Sequence, residues 1–284
     1  MRLYYYKDPI GNFGDDLNTL LWEKIWPDYS DYPHADWLVG IGSILTAEKL
    51  DILPGTKLIM GSGYWPIGDG KPGLTSCRVG FVRGPLTCRA LGLPEQMAIT
   101  DPAAVLSSLM TVSSRLDERV GFMPHHLTHN AFDCAKIAEM AGMRYIDPTG
   151  PVEHVLSGII ESPKILVEAM HGAIVADAMG IPWQRISIFN RKIMPGEAVD
   201  FKWQDWGASL GVDTTPAFER LLPWPGRNPL QKMFKKTGLE RMMRRVSDDL
   251  RSVIQEGRYR LSRRQVLSGR VNQLLERIAG IKIS

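Results

Sequence analysis

Residues 164–179, KILVEAMHGAIVADAM, carry the pattern that decides the fold. The apolar run Lys164–Ala169 predicts a buried strand, and Gly172–Met179 predicts a helix of small residues that can pack closely. The strand therefore delivers Glu168 and His171 to its carboxyl end, where open α/β sheets bind their ligands. This strand-loop-helix unit is typical of the chain as a whole.

Similar units alternate through the first 226 residues, and the alternation restarts near residue 115. Repeated units of this kind indicate parallel sheets with helices on both faces, so we predict an α/β fold. The predicted domains are residues 1–112 and residues 113–226. Among the predicted elements are strands at Met97–Thr100 and Arg185–Phe189 and a helix at Ala131–Ala141.

Residues 227–284 differ from the rest of the chain in both charge and pattern. Residues 1–226 contain 19 Lys and Arg against 26 Asp and Glu, a net charge of −7, whereas residues 227–284 contain 15 against 5, a net charge of +10. Helical patterns at Gln231–Val246 and Ser262–Ile278 predict a basic helical tail. Two interpretations stay open: the tail contacts an anionic membrane surface, or it packs on the acidic body of the same chain.

Composition excludes several classes of protein. With 44% hydrophobic and 23% charged residues in 284, the chain is neither disordered nor fibrous. Three cysteines without a close pair fit a reducing compartment and argue against a disulfide framework or a structural zinc site.

The first residues lack the apolar segment of a signal peptide, and the apolar stretch Trp37–Ala47 is too short to span a bilayer. We expect a cytoplasmic protein. An acidic body and a tail without interleaved aromatic residues argue against nucleic-acid binding.

The first candidate site is the loop Gly11–Asn18, GNFGDDLN, directly after the first predicted strand. Its glycines allow close approach of the backbone, and the N-terminus of the following helix attracts anions. One of the two aspartates, Asp15 or Asp16, is also expected to cap that helix. The loop does not match the dinucleotide-binding glycine pattern.

The second candidate is Arg83 in the stretch Val82–Thr87, VRGPLT, between a strand and a helix. A guanidinium group there can hold a carboxylate or phosphate, or it can pair with a neighbouring acid. For Arg78 and Arg89 we favour the pairing with a neighbouring acid, and for Arg83 the binding role is at least as well supported.

The third candidate is His171, because an imidazole side chain suits proton transfer near neutral pH and Glu168 lies three residues before it. The histidines His125, His126 and His129 lack a recognised metal-ligand spacing, so no metal site is predicted. Because His125 lies at a predicted strand end, it is a candidate substrate contact.

These motifs, in this order, resemble the polysaccharide pyruvyl transferase family, and in particular the branch that acts on exopolysaccharides such as succinoglycan. The resemblance covers roughly residues 1–215 and ends with FKWQDW at 201–206. The segments that carry it are Asn12, Gly14 and Asp15, then VRGP at 82–85, TDPA at 100–103, GFMPH at 121–125 and EAMHGAIVAD at 168–177.

The resemblance implies two Rossmann-like domains in a GT-B-like arrangement, to which this chain adds the helical C-terminal extension. It also implies phosphoenolpyruvate as co-substrate, with no further cofactor, and a sugar or lipid-linked oligosaccharide as acceptor. In the family an Arg and a His act on phosphoenolpyruvate, and by motif these are Arg83 and His171. Many relatives have Ser or Arg where this chain has Glu168-Ala169-Met170, so a role for Glu168 belongs to this branch.

The implied activity is that of a ketal pyruvate transferase, and its chemistry suggests a role for each candidate. We predict His171 as general acid, Glu168 as the group that positions His171 or keeps it protonated, and Asp15 or Asp101 as base. The predicted substrate contacts are Arg83, Asn12, Gly14, Asp101, His125 and Gly172.

Two other functions stay open at this point. One is a GT-B glycosyltransferase that uses a nucleotide sugar and would need an acidic motif for base and ribose in the second domain. Asp177 lies six residues after His171, but on the predicted small-residue helix, where a packed or capping position is expected. The other is a non-catalytic, membrane-associated assembly protein of polysaccharide synthesis. With either a lipid-linked acceptor or such an assembly role, the basic tail would place the protein peripherally on the inner face of the cell membrane.

Overall fold

The computed structural model describes residues 1–68, 70–110, 118–188, 195–220 and 229–283, with side chains in all of them except 229–237. The chain forms two compact units, each assembled from separate segments. Unit 1 comprises Met1–Met110, Pro195–Thr214 and Ser262–Ser284, and unit 2 comprises Thr111–Met194 and Thr215–Leu261.

Unit 1 contains a parallel four-stranded sheet whose strands follow one another in chain order. The strands are β1 (Arg2–Tyr4), β2 (Trp37–Val39), β3 (Lys57–Met60) and β4 (Cys77–Phe81). The α-helices are α1 (Phe13–Ile25), α2 (Ala47–Asp51), α3 (Pro85–Leu91), α4 (Leu106–Leu109), α9 (Gly196–Leu210) and α11 (Arg264–Ile283).

Unit 2 contains a second parallel four-stranded sheet, with the strand order β6-β5-β7-β8. The strands are β5 (Gly121–Met123), β6 (Arg144–Tyr145), β7 (Ile165–Val167) and β8 (Trp183–Arg185). The α-helices are α5 (His126–Ala131), α6 (Cys134–Ala141), α7 (Val152–Glu161), α8 (Met170–Ala178) and α10 (Pro229–Glu256). The prediction of an α/β fold with two parallel sheets is therefore confirmed.

Three predicted elements differ from the structure for local reasons. The predicted strand Met97–Thr100 is a short 3-10 helix, Glu95–Met97, followed by one bridging residue, Ala98, which pairs with Val82. The predicted helix Ala131–Ala141 is two helices, because the Asp133 side chain accepts the Lys136 N–H and starts α6 anew. The strand predicted at Arg185–Phe189 begins earlier, at Trp183, and its predicted end lies outside the described residues.

The two predicted tail helices pack in different units. Helix α10 lies in unit 2, where its buried residues pack against α6, and the Ser247 hydroxyl donates to the Ile137 carbonyl at 3.1 Å. The buried apolar residues of α10 are Met243, Val246, Leu250 and Val253, spaced three or four apart as a helix requires.

Helix α11 belongs to unit 1 and packs on β4. Arg277 Nη1 donates to the Gly80 carbonyl at 2.9 Å, and a Cβ on Gly80 would lie 2.8 Å from Ile281 Cδ1. The buried apolar residues of α11 are Leu267, Val271, Leu274, Ile278 and Ile281. In the described ranges, no helix combines the length and apolar composition needed to cross a lipid bilayer.

Residues 227–284 are therefore divided between the two units, and the charge asymmetry of the sequence is redistributed. Unit 1 contains 15 Lys and Arg against 17 Asp and Glu, a net charge of −2, and unit 2 contains 19 against 14, a net charge of +5. Residues 195–214, placed above in the second domain, also pack in unit 1. The two predicted domain boundaries, at 112/113 and 226/227, lie outside the described residues.

Candidate active site

In unit 1, the carboxyl ends of the strands hold Asn12, Asp15 and Arg83. Helix α1 starts shortly after β1, and in its first turn Asn12 Nδ2 donates to Asp15 Oδ2 at 2.5 Å. Asp16 Oδ2 accepts the Asn12 N–H at 3.0 Å, so Asp16 satisfies the backbone at the start of the helix. Gly14 is buried in the same turn. Of the two aspartates that the sequence left as alternatives, Asp16 makes the backbone contact.

Asp15 lies against the turn that follows β2. Gly42 has φ +133°, and a Cβ there would lie 3.1 Å from Asp15 Oδ1, so a side chain at 42 would be strained and crowded. Lys49, which the sequence analysis did not single out, is close enough to interact electrostatically with Asp15. Burial lowers the pKa of the Lys49 ammonium, and the Asp15 carboxylate acts in the opposite direction. The Lys49 Nζ lies 4.9 Å from the centroid of the Tyr6 ring.

Arg83 is completely buried and ion-paired. Its Nε lies 3.2 Å from Asp205 Oδ2, and its Nη1 donates to Ser43 Oγ at 2.9 Å. A Cβ on Gly63 would lie 2.1 Å from Nη2, so glycine is required where this loop crosses the guanidinium. Within the described ranges, Nη2 is buried without a hydrogen-bond partner. Arg83 thus has an acid partner, the interpretation that we favoured for Arg78 and Arg89.

Asp101 has a capping role in unit 1. It is fully buried, and its Oδ1 accepts the Ala103 N–H at 3.0 Å at the start of the 3-10 helix Pro102–Val105. One oxygen is thereby committed to the backbone. Asp101 lies at the start of this 3-10 helix, and Asp15 lies in the first turn of α1. The choice between them as the base stays a prediction.

In unit 2, the Glu168 carboxylate joins the loops that follow β5 and β8. Its Oε2 accepts the His125 N–H at 3.0 Å, and its Oε1 accepts the Ile188 N–H at 2.7 Å. Because Glu168 directly follows β7, which lies between β5 and β8, one buried side chain fixes three adjacent strand ends. The structure gives Glu168 this structural task, and its predicted effect on His171 stays a prediction.

His171 occupies the first turn of α8, directly after β7, and Gly172 follows it. A Cβ on Gly172 would lie 2.6 Å from Met123 Sδ, so glycine allows α8 to pack closely on β5. His125 caps α5, where its Nδ1 accepts the Leu127 N–H at 3.3 Å. The proton of a neutral His125 ring is therefore on Nε2. The structure brings His125, Glu168 and His171 to the same edge of the sheet.

His129 belongs to a different group of side chains. Its Nδ1 contacts the Tyr145 hydroxyl, and its Nε2 lies 3.8 Å from Asp147 Oδ1. Burial is the main reason why the pKa of Tyr145 is raised. Across the described part of the chain, no three His, Cys, Asp or Glu side chains are grouped so that they could hold a metal ion.

Comparison with known proteins adds one relative. The chain is 35% identical over 223 residues to succinoglycan biosynthesis protein ExoV of Rhizobium meliloti (strain 1021), and the match covers 76% of this chain and 67% of that protein. The chain belongs to the polysaccharide pyruvyl transferase family. No protein-family model matches the chain, and no solved structure matches it. The GT-B-like arrangement implied by the resemblance therefore stays a prediction.

In this pyruvyl transferase family member, the local sequence pattern does not indicate the partners of Arg83. Asp205 lies in the stretch 201–206, which only marked the end of the resemblance, and is separated from Arg83 by 122 residues. Ser43 and Lys49 follow β2 in an apolar context, where nothing in the local pattern indicates a charged neighbour. The only sequence signal for Asp205 was that its stretch is shared with the family.

Replacing Glu168 by Gln should destabilise unit 2. The amide nitrogen that the substitution introduces would face one of the two N–H donors, and a buried unsatisfied donor costs about 1–3 kcal/mol. We expect a lower urea midpoint for the full chain, monitored by tryptophan fluorescence. The control is Glu153→Gln, an exposed change on α7, for which we expect a shift within about 0.5 kcal/mol. Equal midpoints for both variants would contradict the bridging role of Glu168.

Proposed function

We propose that the protein transfers pyruvate from phosphoenolpyruvate to a sugar of an exopolysaccharide precursor, forming a ketal and releasing phosphate. The observation that carries the proposal is that side chains of the family motifs follow strands at the carboxyl edge of each sheet, where such sheets bind ligands. These are Asn12, Asp15 and Arg83 in unit 1, and Glu168 and His171 in unit 2. The relative's role in succinoglycan biosynthesis supports an acceptor of this class.

The reaction requires a proton donor at the enol carbon. Protonation of the methylene group by His171 places positive charge on the carbon that carries the phosphate, and a sugar hydroxyl adds there. The bond between this carbon and the phosphate oxygen then breaks, and its electron pair leaves with phosphate. A second hydroxyl of the acceptor adds to the same carbon and closes the ketal ring. One hydroxyl proton replaces the proton that His171 gave up, and the other leaves with the phosphate. Imidazole suits this task because it gains and loses a proton near neutral pH.

The remaining candidates take supporting roles in this proposal. Arg83 would hold the anionic donor through its guanidinium. Asp15 would accept the proton of the sugar hydroxyl, since its neighbour Lys49 and the Gly42 turn hold it at the strand edge. Asn12 orients Asp15 through its amide.

A nucleotide-sugar glycosyltransferase is less well supported. Asp177, the acidic residue considered for a ribose, is buried in α8, and its Oδ1 accepts Trp183 Nε1 at 2.9 Å. That contact places the carboxylate in the packing between α8 and β8 and gives it a structural role.

The test of the proposed function is incubation with phosphoenolpyruvate and a lipid-linked oligosaccharide. We expect phosphate release that requires both substrates, and a pyruvylated product by mass spectrometry. His171→Ala should lower kcat by about 10²- to 10⁴-fold, the usual contribution of a general acid. The control His154→Ala changes an exposed residue of α7 and should retain activity.

Two results would count against this proposal. The transfer itself is refuted if no acceptor in a broad panel gives phosphate release and a ketal product. The assignment of the acid is refuted if His171→Ala turns over at the rate of His154→Ala.

We further propose that the protein meets a lipid-linked acceptor by electrostatic contact with an anionic membrane. Arg241, Arg244 and Arg245 are exposed on α10, away from the buried Met243 and Val246. Because the apolar face of α10 is buried, contact through this helix would rely on charge, at roughly 1 kcal/mol for each basic residue near the surface.

Charge reversal tests this contact better than truncation, because removing residues 227–284 would also remove buried residues of both units. We expect the triple change of Arg241, Arg244 and Arg245 to Glu to reduce co-sedimentation with anionic vesicles at low salt. The control carries the same charge change at three other exposed arginines, namely Arg258, Arg263 and Arg264. Pelleting equal to wild type in the α10 variant would exclude this surface.

A further inference from the structure

Helix α9 places a buried carboxylate at the start of α3. Asp205 Oδ1 accepts the Thr87 N–H at 2.9 Å, and Asp205 Oδ2 accepts the Thr87 hydroxyl at 2.6 Å. The N-cap of α3 is Gly84, which has no side chain for this purpose, and a Cβ there would lie 2.0 Å from the Asp205 carbonyl oxygen. Asp205, which lies on α9, therefore caps α3 in place of its N-cap residue.

The same carboxylate fixes Arg83. Asp205 Oδ2 accepts Arg83 Nε as well as the Thr87 hydroxyl, and all three side chains are fully buried. The Thr87 hydroxyl in turn accepts the Tyr64 N–H at 3.0 Å, which ties the loop after β3 into the network. One aspartate thus connects α9, α3 and the loop after β3.

The guanidinium is held at two of its three nitrogens. Asp205 engages Nε and Ser43 engages Nη1, whereas Nη2 is buried without a hydrogen-bond partner in the described ranges. Buried donors without a partner are rare in native proteins, and an anionic oxygen is a strong acceptor for one. Gly63, which has no side chain, is the residue that lies against this nitrogen.

We propose that Asp205 is a positioning residue, with Thr87 as its support: it orients Arg83 so that Nη2 receives an oxygen of phosphoenolpyruvate. This inference rests on the proposed function. Asp205 does not touch the donor and acts through Arg83. A purely structural ion pair would affect stability alone, whereas a positioning pair also sets the KM for the donor.

The test compares four variants by initial rates at varied phosphoenolpyruvate and by thermal unfolding. Asp205→Asn loses the charge and presents an NH₂ group to partners that donate three hydrogen bonds to the carboxylate, so we expect its KM to rise about tenfold. Thr87→Val removes the hydroxyl and should raise KM in the same direction. Thr87→Ser keeps the hydroxyl and should restore the wild-type KM.

The control Ser209→Ala lies on the same helix and removes a buried hydroxyl that contacts Thr100 Oγ1 at 3.0 Å and donates to the Trp206 carbonyl. We expect it to lower the melting temperature without changing KM. If Asp205→Asn does not fold, the pair Thr87→Val and Thr87→Ser decides the question.

Two results would overturn the inference: a wild-type KM in Thr87→Val and Asp205→Asn, or an equal rise of KM in Ser209→Ala. Failure of the proposed function is a different result, in which the wild-type protein itself does not turn over phosphoenolpyruvate.

Discussion

The ion pair between Arg83 and Asp205 is the constraint on which unit 1 depends. Both side chains are fully buried, and desolvating two charges costs several kcal/mol for each ion. The structure offsets that cost with hydrogen bonds to the Thr87 backbone, the Thr87 hydroxyl and Ser43. Breaking such a pair by removing one partner typically costs about 3–5 kcal/mol, because the remaining charge is left uncompensated. Activity lost on replacing Arg83 by Ala would therefore combine lost folding with lost donor binding.

Unit 2 also contains a buried carboxylate that is fixed by hydrogen bonds, but its donors are backbone N–H groups and not an arginine. Glu168 is buried and accepts two backbone N–H groups from the loops after β5 and β8. In both units, a buried carboxylate joins loops that leave neighbouring strand ends. Such support fixes the groups that act on a substrate before the substrate arrives, which is how preorganised sites lower barriers. His171 lies beside that supported edge, in the first turn of α8.

Local sequence patterns predicted the parts of this structure that depend on neighbouring residues. They indicated the strand-loop-helix units and the placement of Arg83 and His171 close behind strands. They did not predict contacts between distant segments, because periodicity and motif order contain no information on tertiary pairing. Arg277 and Gly80 are 197 residues apart, and nothing in either stretch indicates that α11 returns to β4. The tail appeared as one basic segment for the same reason.

The most direct test of the account is hydrogen–deuterium exchange of the full chain with and without phosphoenolpyruvate. The central claim is that Arg83, at the carboxyl edge of the sheet of unit 1, binds the donor. It predicts slower exchange in the presence of phosphoenolpyruvate at residues 40–43, 61–64 and 83–87, with little change at α7 and α10. Unchanged exchange at these loops at a saturating concentration of phosphoenolpyruvate, or protection confined to other segments, would contradict it.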